Sequence, residues 1–215
     1  MNQKEILLKT EKYVRQLLEK EGSGHDWHHI QRVYNNALLI MQNEKCDEFL
    51  VKTAVLLHDI GDYKLHNGTD KTNDLVHPFL KSLNAEDIFI EKVIAVIKQI
   101  GFGENKNSVP TSIEAKIAQD ADRLDAIGAI GIARTFQYGG YKGTVLYDPN
   151  ITPVKYSSSK SYKKSTAPTI NHFYEKLLLI KDLMNTDTAR KIAQQRHDFM
   201  EFFLAQFYEE WEGKK

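Results

Sequence analysis

Apolar residues recur every three or four positions through most of the chain, the spacing of helices with one buried face. Leu7, Val14, Leu17 and Leu18 mark the inner face of a first helix, stopped by Gly22-Ser23-Gly24. Asp26 offers an N-cap for a second, carrying Ile30, Val33, Ala37, Ile40 and Met41. Asp47 can cap a third, with Val51, Ala54, Val55 and Leu57 inside; it ends near His58-Asp59-Ile60-Gly61, where Gly61 suits the C′ position. Ile90, Val93, Ile94 and Ile97 predict another helix, and Ile113, Ile117, Ala121 and Leu124 one more. Thr169 to Trp211 reads as two long helices broken near Asn185-Thr186-Asp187. The prolines at 78, 110, 149, 153 and 168 fall mostly where the pattern lapses. No alternating run of β-branched residues occurs, so the fold class is all-α, with at most a short hairpin around Gly139–Tyr147.

Length and composition narrow the function. With 215 residues, 41% of them apolar and 27% charged, the chain can bury a sizeable core. Lys plus Arg and Asp plus Glu both total 29, a formal net charge of zero, which disfavours a broad nucleic-acid surface. Cys46, the single cysteine, excludes an internal disulfide and a four-cysteine zinc site. The first 18 residues hold no long apolar stretch and no later run reaches 18 apolar residues, so no membrane partner is expected and the cytoplasm is the expected location. Tyr141 to Ser165 is basic, with Lys142, Lys155, Lys160, Lys163 and Lys164 against Asp148 alone. It reads as a solvated surface loop or as a mobile flap over an anionic substrate.

Candidate chemistry lies in three places. Three histidines crowd into Gly24-His25-Asp26-Trp27-His28-His29, a His58-Asp59 pair closes an apolar helix, and carboxylates cluster in Gln119-Asp120-Ala121-Asp122-Arg123-Leu124-Asp125. An ionised carboxylate among buried apolar positions costs several kcal/mol or more unless it is paired or bound to a cation, which applies to Asp59 and Asp122. Two such acids and two histidines converging in a helical core make a site for one divalent cation. That donor set suits Mn²⁺, Fe²⁺, Co²⁺, Ni²⁺ or Zn²⁺ better than Ca²⁺. The spacing Asp26-x-x-His29-x-x-Arg32 singles out His29, leaving His25 and His28 as rim or solvated histidines.

With these motifs the chain resembles the HD-domain superfamily of metal-dependent phosphohydrolases, whose ligand pattern is H…HD…D. The resemblance extends through Gly128-Ala129-Ile130-Gly131-Ile132-Ala133-Arg134 and His172-Phe173-Tyr174-Glu175-Lys176-Leu177, so it covers nearly the whole chain. It implies one HD-type domain over 1–215, with a core at about 24–128 and a C-terminal helical pair at about 166–212. The implied metal ligands are His29, His58, Asp59 and Asp122. His66 and His77 do not follow the pattern of a second metal site and Lys98-Gln99-Ile100-Gly101 offers no ligand, so one ion is expected: Mn²⁺ first, with Fe²⁺, Co²⁺, Ni²⁺, Zn²⁺ or Mg²⁺ as alternatives.

Within the superfamily the resemblance is to a small bacterial branch, some members of which resemble nucleotide pyrophosphohydrolases. The implied reaction is therefore hydrolysis of (deoxy)nucleoside triphosphates to monophosphate and pyrophosphate. The alternatives are a 5′-nucleotidase-like phosphomonoesterase, a hydrolase of guanosine tetraphosphate-type alarmones, and a non-catalytic nucleotide- or metal-binding module. Asp62 is the candidate catalytic acid, since family members often carry an acid there. Lys64, Arg123, Arg134 and Lys142 are candidate phosphate contacts, and Asp125 can face the substrate or a structural partner. The expected partner is a nucleotide or other small phosphorylated compound. The oligomeric state is open, a homodimer among the options. His197 is expected to face solvent, His172 to cap or pack near the last helices, and Cys46 to be inert. Among Trp27, Phe102, Phe136, Tyr138 and Tyr141, aromatics able to stack on a base, Phe136 is assigned to the core. Phe203, Phe207 and Trp211 form either an interface or an inner helix face.

Overall fold

The computed structural model describes residues 2–19, 25–101, 109–155 and 166–215. The helix stop at 22–24, Phe102, and Lys160, Lys163 and Lys164 of the basic stretch lie outside the described residues. Among the described residues there is no strand. Contacts gather in two compact units, one of described residues through Asp122 and one from Arg123 onward.

In the first unit, α1 (Gln3–Leu18) is capped by Asn2, which accepts from the Glu5 amide at 2.9 Å. Its buried stripe is Ile6, Thr10, Val14 and Leu18, rotated from the expected face: Leu17 is 49% exposed. Thr10 enters the stripe because its hydroxyl donates to the Ile6 carbonyl at 2.8 Å, so no polar group is left unsatisfied inside. The cap of α2 (Trp27–Met41) is Asp26, whose Oδ1 accepts from the His29 amide at 2.7 Å. Asp47 caps α3 (Glu48–Leu57) by accepting from the Leu50 amide at 3.1 Å. Buried from Thr53 through Leu57, α3 packs against α1, α2 and α5 (Asp87–Ile97).

One expectation here is corrected. Gly61 does not end α3 in the left-handed conformation, because His58 is the C-cap and Gly61 is not among the positive-φ glycines. A Cβ at Gly61 would instead lie 2.4 Å from the Thr72 backbone, so close approach of two segments explains the glycine. Thr72 opens α4 (Thr72–Ser82), a helix the sequence pattern did not reveal because Pro78 sits inside it. Pro78 and Asp74, the residue whose carbonyl loses its helical donor, are both exposed, so water can serve that carbonyl.

α6 (Ile113–Asp125) brings Ala115, Ile117, Ala118 and Ala121 to the core of the first unit. In the second unit, α7 (Gly128–Lys142) closes at Gly143, at φ 67°. Residues 139–142 are thus the last turn of a helix and not a hairpin, with Gly143 as the punctuation. The C-terminal pair is unequal. Lys176, at φ −145° and ψ −57°, leaves the helical basin and splits its first member into α8 (Asn171–Glu175) and a 3₁₀ segment (Leu177–Leu183). Three residues per turn place Leu177 and Ile180 on one buried side. The break near 185–187 is present: Thr186 caps α9 (Asp187–Trp211). Phe136 meets Phe173 and Phe203 at ring-centroid distances of 6.0 and 5.9 Å, and Phe207 and Trp211 pack on Tyr147. His197 does not face solvent: it is 5% exposed, with Nε2 3.2 Å from Glu201.

Candidate metal centre

Helix ends of the first unit carry the titratable cluster. His29 sits in the first turn of α2, placed by the Asp26 cap. His58 closes α3, and its Nδ1 donates to the Val55 carbonyl at 2.8 Å. In the neutral imidazole that bond fixes the tautomer and leaves the lone pair on Nε2. His58 Nε2 is buried with no hydrogen-bond partner among the described residues. It lies 3.4 Å from Asp59 Oδ1 and 3.9 Å from Asp122 Oδ1. His29 Nε2 lies 3.3 Å from Asp59 Oδ2 and 3.4 Å from Asp122 Oδ1. The structure thus gathers His29, His58, Asp59 and Asp122. His29, His58 and Asp59 are at most 8% exposed, and the Asp122 side chain, at 16%, is the more open side.

These distances fit a cation. Metal–ligand bonds of about 2.1 Å at right angles set neighbouring donors about 3 Å apart. A lone pair on His58 Nε2 facing two carboxylates is repulsive unless a positive charge lies between them. Burial raises the Asp59 pKa, but the surrounding imidazoles of His58, His25 and His29 outweigh it and hold the carboxyl well below its ordinary range. The group is therefore an ionised carboxylate, the state a metal ligand needs. Two triads here, His25 with His29 and Asp59, and His29 with His58 and Asp122, are each able to hold a divalent metal.

Sequence places His25 at the rim or in solvent and assigns it no contact. Its Nδ1 lies 2.7 Å from Asp59 Oδ2, and its Nε2 3.1 Å from the Lys64 ammonium. The available signal was position: His25 directly precedes the cap, four residues before His29. His28 is exposed and meets Gln31 at 3.1 Å. His66 donates to the Ile60 carbonyl at 2.7 Å. Asp62 follows on the turn after Asp59, its amide donating to the Asp59 carbonyl at 3.0 Å. Asp62 Oδ1 accepts from the Lys64 amide at 2.8 Å.

The remaining candidates belong to the second unit. Arg123 is buried and its guanidinium donates to the Leu183 carbonyl. Asp125, 1% exposed, pairs with Arg134 at 2.6 Å. Lys142 lies over the rings of Tyr138 and Tyr141, 5.6 and 5.8 Å from their centroids. Tyr138 and Tyr141 are both exposed.

An all-helical chain whose helix ends collect imidazoles and carboxylates around a buried, cation-ready space is a metal-site protein in class. Residues 26–127 match the HD domain. The chain is 40% identical over 203 residues to YpgQ of Bacillus subtilis, covering 94% of this chain and 91% of that protein. A structure of YpgQ in complex with ADP superposes with a TM-score of 0.79 at 36% identity, covering 98% and 97% of the two chains. An HD-superfamily hydrolase from Bacillus thuringiensis gives a TM-score of 0.80 at 42% identity over 98% and 99%. A protein from Lactobacillus plantarum gives 0.85 at 34% over 99% and 100%. The chain belongs to the HD-domain phosphohydrolase superfamily. No helix among the described residues is long and apolar enough to cross a membrane.

Proposed function

We propose that the protein hydrolyses (deoxy)nucleoside triphosphates to monophosphate and pyrophosphate, using one divalent ion, Mn²⁺ in first place, held by His29, His58, Asp59 and Asp122. The observation that carries this reading is the convergence of two imidazole nitrogens and two carboxylates, with the lone pair of His58 Nε2 facing both acids. The ADP complex of YpgQ supports a nucleotide as the ligand.

A cation in this cluster supplies Lewis acidity toward a phosphoryl oxygen and lowers the pKa of water. The protein's own groups do the rest. Asp62 takes the proton of the attacking water at Oδ2, since Oδ1 is engaged by the Lys64 amide. The water oxygen bonds to the α-phosphorus as the bond to the α–β bridging oxygen breaks, and that electron pair leaves on pyrophosphate. Lys64 offsets charge on the phosphate chain. The test is a nucleotide panel with Mn²⁺ in which the products are resolved. Pyrophosphate released from a triphosphate is expected. Orthophosphate released from monophosphates instead would make the protein a phosphomonoesterase, and absence of any turnover would make it a binding module.

A further inference from the structure

We propose that His25 is a positioning residue: its imidazole ties the Lys64 ammonium to the Asp59 carboxylate, orienting the carboxylate toward the metal and holding the ammonium for the substrate's phosphate chain. The inference rests on the proposed metal and nucleotide reading above.

The hydrogen bonds admit one polarity. The Lys64 ammonium has no lone pair, so it must donate to His25 Nε2 across 3.1 Å. Nε2 is then the acceptor and Nδ1 carries the proton, which it donates to Asp59 Oδ2 across 2.7 Å. Distance also separates His25 from the ligands. Two donors on one ion sit about 3 Å apart or more, which fits the 3.3 and 3.4 Å contacts of His29 with Asp59 and Asp122. At 2.7 Å the His25–Asp59 contact is a hydrogen bond between a ligand and its support. The His25 side chain is 19% exposed, so it lies at the rim of the buried cluster. Lys64 is exposed, spends one of its three protons on His25, and keeps two to present to an anion.

Calorimetric titration with Mn²⁺, and then with ADP in the presence of Mn²⁺, tests this. His25→Ala is expected to weaken Mn²⁺ binding by about 10-fold and to weaken ADP binding as well. In His25→Asn the amide nitrogen takes the place of Nδ1, so Mn²⁺ affinity stays near wild type while ADP binding weakens as much as in Lys64→Met. In His25→Gln the amide reaches the place of Nε2, so the pattern reverses. The double variant His25→Asn/Lys64→Met binds ADP no more weakly than Lys64→Met alone. His25→Ala with both affinities intact, or full multiplication of the two ADP effects in the double variant, overturns the proposal. Lys64 is exposed, so the Lys64→Met comparison remains readable should His25→Ala fail to fold. A wild-type protein that binds no Mn²⁺ overturns the metal reading itself and this inference with it; a wild type that binds normally beside an indifferent His25→Ala overturns the inference alone.

Discussion

The side-chain amide of Asn36 donates to the backbone carbonyl of Ala121 across 3.0 Å, and the next residue is Asp122. Asn36 lies two helical turns beyond His29 on the buried face of α2. One hydrogen bond thus fixes the register of the helix bearing His29 against the helix bearing Asp122. Asn36→Asp places an acceptor against an acceptor. We expect it to cost about 1–3 kcal/mol in urea denaturation and to lower Mn²⁺ affinity. Wild-type stability in Asn36→Asp would show that the contact does not set the register.

Two neighbouring acids have separable roles in the proposed reaction. Asp59→Ala removes a carboxylate from the buried cluster, so metal uptake and hydrolysis should both disappear. Asp62→Asn keeps an oxygen for the Lys64 amide, which Oδ1 accepts at 2.8 Å, so the turn should persist. It loses the proton acceptor. The expected result is near-normal Mn²⁺ binding with kcat reduced by about 10²–10⁴. Unchanged turnover would exclude Asp62 as the base, and activity in metal-stripped Asp59→Ala would remove the mechanism.

What could be read from sequence divides by range. Asp26 and Asp47 were legible as caps because a cap bond spans three residues, a distance the sequence displays directly. The gathering of His29, His58, Asp59 and Asp122 was legible through the resemblance and through the cost of burying acids. The bond from His25 to Asp59 joins residues 34 apart, and the one local sign of it is that His25 directly precedes the Asp26 cap. Thr10 was hidden because its polarity is cancelled only by a backbone carbonyl within its own helix. Pro78 and Gly61 each carried a punctuation signal that tertiary context overrode. One lies within a helix, and the other admits the backbone of Thr72. The break at Lys176 follows from a backbone conformation that the run Leu177-Leu178-Leu179-Ile180 does not announce.

Asp125 and Arg134 present a choice between folding and substrate contact. The Asp125 carboxylate is buried and the Arg134 guanidinium, 30% exposed, meets it at 2.6 Å. Removing Arg134 leaves the buried Asp125 charge with the more distant field of Arg196 to offset it. Arg134→Met is therefore expected to cost about 2–4 kcal/mol, and Arg134→Met/Asp125→Leu to recover part of that. Denaturation of the four members of the cycle measures it. Arg134→Met that keeps full stability but loses nucleotide affinity would assign Arg134 to the substrate.

His172 gives the second unit a pH dependence whose sign follows from its surroundings. Burial first, and the Lys176 charge second, lower its pKa from 6.5 to about 3. The unfolded chain takes up a proton as pH falls through 6.5, and the folded chain does not until about pH 3. The unfolded state therefore binds more protons between these values. The stabilisation is fully present above pH 6.5 and is lost progressively as pH falls toward about 3. The slope from this one group is at most about 1.4 kcal/mol per pH unit. His172→Gln has no such titration. Urea midpoints of wild type and His172→Gln, compared at pH 7, 6 and 5 under the same salt, should converge as the pH drops, because only the wild type loses this contribution. A gap between the two that stays constant over that range would show that His172 is protonated alike in the folded and unfolded chains.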